Sequence, residues 1–159
     1  MHMQLDENAG ASSEAATVAW STVAAFASAV DADLDKWLAA RYRVGLTEFR
    51  ALTFLRDVSA KELRVSELAQ RLGLNQSSAT RLVSRLEAKG FAYRDVCEDD
   101  GRGVYAVLGE GGEGLLREVR EPFEERVRDV LGDVSAHFPH LSAGALDGAL
   151  EDVRSFLEG

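Results

Sequence analysis

Between Ser66 and Gly90 the chain carries two short amphipathic segments with almost no room between them, and this spacing limits the fold more than any other feature. Ser66 reads as the N-cap of a helix over Glu67–Leu72 that stops at Gly73, where a left-handed C-terminal residue is easily made. Gly73-Leu74-Asn75 forms a tight turn. A second helix is expected over Gln76–Lys89, closed by Gly90. Two short helices joined by a glycine-containing turn of three or four residues make a helix-turn-helix. Two strand-like runs follow, Phe91–Val96 and Val104–Leu108, around an acidic, glycine-bearing tip at Cys97–Gly103. A helix-turn-helix followed by a hairpin is a winged helix, so the fold class is mainly α with a small β-hairpin wing.

Longer helices flank this unit. From about Thr17 to Tyr42, Val23, Phe26, Val30, Leu34, Trp37 and Leu38 recur every three to four residues, as one face of a helix requires. Gly45 breaks the pattern, and Thr47 is the expected N-cap of a helix over about 48–57. After the hairpin an apolar stripe resumes at Glu113 with Leu116, Val119, Phe123, Val127 and Val130, and Pro122 inside it predicts a kink. A last helix is expected over about Ser142–Leu157. The 159 residues suit a single domain, with a winged lobe at about 46–108 and flanking helices at about 16–44 and 110–158. The flanking helices carry more apolar surface than so small a lobe can cover. Their excess stripe (Val23, Phe26, Val30, Phe123, Val127, Leu146, Val153, Phe156) is best buried against a second copy, which predicts a two-fold homodimer.

Net charge is −9, which argues against a polyanionic partner until the chain is divided. Residues 1–59 carry a net −3 and residues 107–159 a net −7, whereas residues 60–106 carry +1. Charge acts locally, within a Debye length of about 8 Å at physiological salt. An anionic ligand at the middle third therefore remains admissible. One cysteine, Cys97, excludes an internal disulfide and suits a reducing compartment. No run of about 18 apolar residues and no basic-then-apolar leader is evident, so the expectation is a cytoplasmic protein with no membrane span.

At 100° per residue, the Gln76–Lys89 helix places Ala79, Leu82, Val83 and Leu86 on one arc, the expected buried face. Ser77, Thr80, Arg81 and Ser84 lie opposite, with Arg85 on the flank. Hydroxyls and arginine on an outward face suit the major groove of double-stranded DNA, because arginine forks onto guanine and hydroxyls reach bases or phosphates. None of these five residues is an acid, although acids outnumber bases 27 to 18 in the chain.

The runs Leu46-Thr47-Glu48-Phe49-Arg50-Ala51-Leu52, Leu68-Ala69-Gln70-Arg71-Leu72 and Ser77 through Phe91, with Asp100-Gly101-Arg102 before the strand Val104–Leu108, resemble the MarR family of bacterial transcription regulators. The resemblance covers about residues 18–157 in element order and is strongest over 46–112. It implies an obligate homodimer with interlocked termini that reads a pseudo-palindromic operator through Ser77, Ser78, Thr80, Arg81, Ser84 and Arg85. Arg102 would be the wing arginine that enters the minor groove, and Asp100 would orient it. Glycine on both sides of Arg102 lets the tip approach a backbone, and narrow minor grooves attract arginine. Two departures stand out: Gly109 replaces the usual capping threonine, and Glu98 and Asp99 place negative charge on the wing.

The resemblance also implies a small aromatic or anionic effector that releases DNA. Trp20, Trp37, Arg41, Tyr42 and Arg50 are candidates for its site, since aromatic walls plus arginine suit an aromatic acid. Some relatives sense oxidants through cysteine, and Cys97 is the residue for that alternative. Its neighbours Glu98, Asp99 and Asp100 disfavour the reactive thiolate. His137 and His140 lack an evident third ligand, so neither metal nor cofactor is expected. No nucleophile with a base is readable, and Gly109-Glu110-Gly111-Gly112 lacks the lysine of a phosphate loop, so no enzyme is expected. The competing reading is a winged helix that binds protein, which the net charge favours and which would place apolar residues on the outward face of Gln76–Lys89.

Overall fold

The computed structural model describes residues 14–97 and 103–159, apart from the side chain of Cys97. The expected fold class is what it shows: α1 (Ala15–Tyr42), α2 (Leu46–Asp57), β1 (Glu62–Arg64), α3 (Val65–Leu72), α4 (Gln76–Ala88), β2 (Ala92–Cys97), β3 (Gly103–Leu108), α5 (Glu110–Gly132), α6 (Val134–His137) and α7 (Ala143–Glu158). The described residues form two compact units, 34–126 and 14–33 with 127–159. The division falls inside the two long helices rather than at their ends.

Unit 34–126 is the winged helix. Leu38, Leu52, Leu55, Leu68, Leu82, Leu86 and Val119 are fully buried in it. The sheet has three antiparallel strands in the order β1-β3-β2, with Leu63 opposite Ala106 and Tyr93 opposite Val107. Strand β1 is absent from the sequence reading. Three residues are too few for a period-2 pattern, and β1 exists because β3 offers it a ladder.

Helix α2 corrects a second expectation. It starts at Leu46, not after Thr47, and its N-cap Gly45 supplies no side chain. The orphan amide of Leu46 donates instead to Asp35 Oδ1 at 2.8 Å, so the cap comes from α1, 11 residues upstream. Helix α3 likewise begins before Ser66, at Val65. Both glycines expected to end helices do so in the left-handed region, Gly73 at φ 68° and Gly90 at φ 76°.

The run Gly109–Gly112 has a packing role. A Cβ on Gly111 would overlap the carbonyl oxygen of Gly90, and one on Gly112 would overlap that of Phe91 and crowd Leu108 Cδ1. Gly109 N–H donates to the same Phe91 carbonyl at 3.0 Å. The first turn of α5 thus lies directly on the backbone that leads into the wing. Pro122 sits within α5, where its missing N–H leaves one carbonyl of the preceding turn unsatisfied by the helix.

Unit 14–33 with 127–159 buries Ala19, Val30, Val130, Phe138 and Ala149. It also leaves a large apolar surface open: Trp20 is 63% exposed, Leu131 51%, Phe156 57% and Leu157 82%. Helix α1 and residues 140–146 enclose a cleft of about 480 Å³ lined by Thr17, Val18, Thr22, Phe26, Leu141 and Leu146. Helix α1 modifies the membrane expectation. Its best 18-residue window reaches a mean hydropathy of 1.2 with at most two charged residues, enough by length and composition to cross a membrane. Closely spaced alanines produce that average, and the interleaved Thr17, Ser21, Thr22 and Ser28 hide it from a search for unbroken apolar runs.

Two glycines two residues apart on α5 give opposite expected outcomes. Gly112→Ala should destabilise the chain by about 2 kcal/mol or more, because the added methyl meets backbone that cannot swing away. Gly114→Ala meets only the end of the Arg117 side chain, at 3.9 Å, and should stabilise by about 0.5–1 kcal/mol through helix propensity. Urea melts of the two variants beside the parent check both signs.

Candidate nucleic-acid interface

Helix α4 is built as a presenting element. Asn75 caps it, its Oδ1 accepting from Ser78 N–H at 2.8 Å and from Ser77 Oγ at 3.0 Å. Ala79, Leu82, Val83 and Leu86 are buried. Ser77, Thr80, Arg81 and Arg85 are exposed, and Ser78 and Ser84 are partly so. Thr80 Oγ1 donates to the Gln76 carbonyl at 2.9 Å and Ser84 Oγ to that of Thr80 at 3.0 Å. Arg81 Nη2 lies 3.2 Å from Ser78 Oγ, so the guanidinium is held along the N-terminal half of the outward face. That face carries no large apolar side chain, the feature that a protein-binding winged helix would need there.

Arg85 has a different setting from Arg81. Its Nε is 3.9 Å from Glu48 Oε1, which draws it towards the scaffold. Glu48 is 7% exposed, and a carboxylate so buried needs partners. Lys89 provides them, with Nζ 2.8 and 3.1 Å from the two oxygens. The same ammonium donates to the carbonyl of Arg43 at 2.9 Å. Arg43 has φ 56° without being glycine, a conformation costing roughly 1–2 kcal/mol that its surroundings must hold. Lys89 therefore fastens the C-terminal end of α4 to α2 and to the α1–α2 turn.

Sequence reasoning missed Arg94. It stands on β2, yet its Nη2 donates to Ser84 Oγ at 3.1 Å, its Nε lies 3.4 Å from Glu87 Oε2, and its backbone N–H donates to that oxygen at 3.0 Å. A wing-strand arginine is thereby laid against the flank of α4. The available signal was a lone arginine shortly after Gly90, which no local pattern distinguishes from a solvated strand charge.

Asp100 and Arg102 lie outside the described residues, as does the thiol of Cys97. Of the five candidate effector residues, three come together: Trp37 and Tyr42 have ring centroids 5.6 Å apart, and the Arg41 guanidinium stands 5.3 Å from the Trp37 ring. Phe123 joins this group at 6.3 Å from Trp37 and 4.6 Å from Phe49, so it serves the winged unit's aromatic cluster rather than the open stripe. Arg50 is exposed on α2. Trp20 belongs to the other compact unit. His137 Nε2 approaches Asp129 Oδ2 at 3.3 Å, and no group of three potential metal ligands occurs among the described residues.

Residues 44–103 match the model of the MarR family. Over 107 residues the chain is 33% identical to the transcriptional regulator PecS of Dickeya dadantii, covering 67% of this chain and 64% of that protein. Over 76 residues it is 36% identical to the transcriptional repressor MprA of Escherichia coli, covering 48% and 43%. The chain thus spans less than two thirds of the length of these curated relatives. Among solved structures, Sco3205 of Streptomyces coelicolor, a MarR family regulator in complex with DNA, superposes with a TM-score of 0.68 at 26% identity, over 88% of this chain and 84% of that one.

Removing the buried carboxylate tests the mount beneath α4. Glu48→Ala should cost about 1–3 kcal/mol, since Lys89 loses the carboxylate that holds its ammonium beside the Arg43 carbonyl. The Lys89 side chain is 36% exposed, so the pair is partly screened, which keeps the figure below that of a fully buried pair. Urea denaturation of the variant reads the loss, and an unchanged midpoint would remove the anchoring role.

Proposed function

From a chain that belongs to the MarR family of winged-helix proteins, we propose a cytoplasmic, homodimeric transcription regulator, most simply a repressor, that binds a pseudo-palindromic operator in double-stranded DNA. The observation that carries this is the outward face of α4. Arg81 is exposed and held beside Ser78, with Ser77, Thr80 and Ser84 around it, and the Glu87 carboxylate beyond them is engaged by Arg94. Arg81 reads a base edge, while Ser77, Ser78, Thr80, Ser84 and Arg85 fix the register on bases and phosphates. Arg94 adds a cation from the wing strand. Arg102, oriented by Asp100, enters the minor groove beyond the described part of the hairpin. The DNA complex of Sco3205 and the description of MprA as a repressor support this reading.

The homodimer rests on unit 14–33 with 127–159. Trp20, Leu131, Phe156 and Leu157 are large apolar side chains exposed on this unit, and a second copy would cover them. That cover also accounts for α1 without a membrane. Two-fold symmetry places two α4 helices about one DNA turn apart. The effector is a small aromatic anion, received by Trp37, Tyr42 and Arg41, with Arg50 and Trp20 as further candidates.

Selection of bound duplexes from random DNA at about physiological salt is expected to enrich a two-fold-symmetric motif with half-sites about one helical turn apart. Arg81→Ala should then weaken binding by roughly 1–3 kcal/mol and relax preference at one base pair of each half-site. Absence of any enriched motif at low salt would favour the protein-binding winged helix. Titrating salicylate, as a model aromatic anion, into the complex should release DNA, and Trp37→Ala should blunt that release. Indifference to salicylate and to other aromatic acids would remove the effector from the proposal.

A further inference from the structure

On the winged unit a second concentration of positive charge lies outside α4 and the wing. The last turn of α2, the turn before β1 and the first half of α5 enclose a cleft of about 230 Å³ lined by Arg56, Lys61, Glu113, Leu116, Arg117 and Arg120. Four cations and one carboxylate face one small space, in a chain whose net charge is −9. Leu116 is 3% exposed and closes the floor. Arg117 and Arg120 are three residues apart and so share one side of α5.

The carboxylates nearby leave the excess standing. Asp57 bonds Arg56 Nε at 3.0 Å, and Lys61 is paired with Glu113. The Glu113 carboxyl is held below the usual carboxylate range by its hydrogen bond and charge contact with Lys61, and further by Arg117. The positive field of the cleft therefore extends to the carboxylate inside it. Lys61 also occupies an uncommon backbone state, φ 54°, fixed by its N–H to Val58 O at 3.0 Å and by its carbonyl accepting from Leu108 N–H at 2.9 Å. Glycine would adopt that turn without strain. The lysine held there instead delivers its ammonium to the rim of the cleft.

We propose that this cleft is a binding site for a small multivalent oxyanion of the phosphate class, separate from the DNA-reading face and from the aromatic cluster. Guanidinium groups fork onto phosphate oxygens two at a time, and an ammonium adds a point charge. Arg117 and Arg120 offer two forks, and Arg56 and Lys61 add charge that Asp57 and Glu113 already share, a set that matches a multivalent oxyanion better than a single carboxylate. The volume accommodates a phosphate group with a short organic tail and falls below that of ordinary drug-sized pockets. The same chemistry has two sources, a free phosphorylated small molecule and the DNA backbone, and the site is assigned to the first.

Calorimetric titration of the full chain with pyrophosphate, at about 0.15 M salt to screen diffuse attraction, tests this. Saturable binding is expected, weakened at least tenfold by Arg117→Ala/Arg120→Ala and to a lesser degree by Arg117→Lys/Arg120→Lys, which keeps the charge and loses the fork. Affinity for duplex DNA should not change in either variant. No saturable binding to the parent protein would overturn the site. So would binding that survives Arg117→Ala/Arg120→Ala but disappears in Arg81→Ala, which would locate the anion on α4. A weaker DNA affinity with a shallower salt dependence in the α5 variants would assign the cleft to the DNA backbone, and the small-molecule site would fall.

Discussion

A single ammonium, that of Lys89, makes three hydrogen bonds at the root of α4. It meets both oxygens of the buried Glu48 and the carbonyl of left-handed Arg43. Everything the outward face presents depends on where the axis of α4 points, and its far end is held by the Asn75 cap, the turn at Gly73 and the buried Ala79. Hydrophobic burial of Leu82, Val83 and Leu86 sets the depth of the helix but, being non-directional, leaves its rotation loosely set. The ion pair supplies direction. It sits partly in solvent, so its contribution is as much to geometry as to stability.

Polar anchoring of helix ends by distant carboxylates recurs in this fold. Asp35 reaches forward to the first amide of α2 and Glu87 reaches across to strand β2 at Arg94. Each link joins residues that local pattern cannot pair. This is why the sequence yielded the periodic elements and the arc of α4, while Glu48 and Arg94 stayed invisible in it. The buried face of α4 follows from 3.6-residue periodicity alone. By contrast, Thr47 satisfies every local rule for an N-cap and is displaced, because a side chain from the previous helix arrives first. Strand β1 is a similar case: Glu62-Leu63-Arg64 carries no strand signal, and its structure is conferred by Tyr105–Val107.

Glycine at the start of α5 shows how a correct residue-level observation can carry the wrong reason. Gly109 is a weak cap, and Gly111 and Gly112 lower helix propensity. The gain lies elsewhere, in the contact of α5 with the carbonyls of Gly90 and Phe91. The wing thereby springs from backbone in direct contact with a long helix, and the position of the hairpin is defined at its base. Composition likewise concealed the cationic cleft. Its charges come from residues 56, 61, 117 and 120, scattered through segments that are acidic or nearly neutral in sum.

Two hydroxyls of α4 are already committed as donors, Thr80 to Gln76 O and Ser84 to Thr80 O, and Ser84 in turn accepts from Arg94. What they turn outward is therefore lone pairs. A face that looks like a row of hydrogen-bond donors in the sequence behaves as a row of acceptors flanked by the donor forks of Arg81 and Arg94. On a duplex, such a surface discriminates by polarity. In the proposed complex, an exocyclic amine of adenine or cytosine would fit the Thr80 position and the acceptor edge of guanine would fit arginine. Selectivity of this kind comes from an internal bond in the helix, made before any ligand arrives.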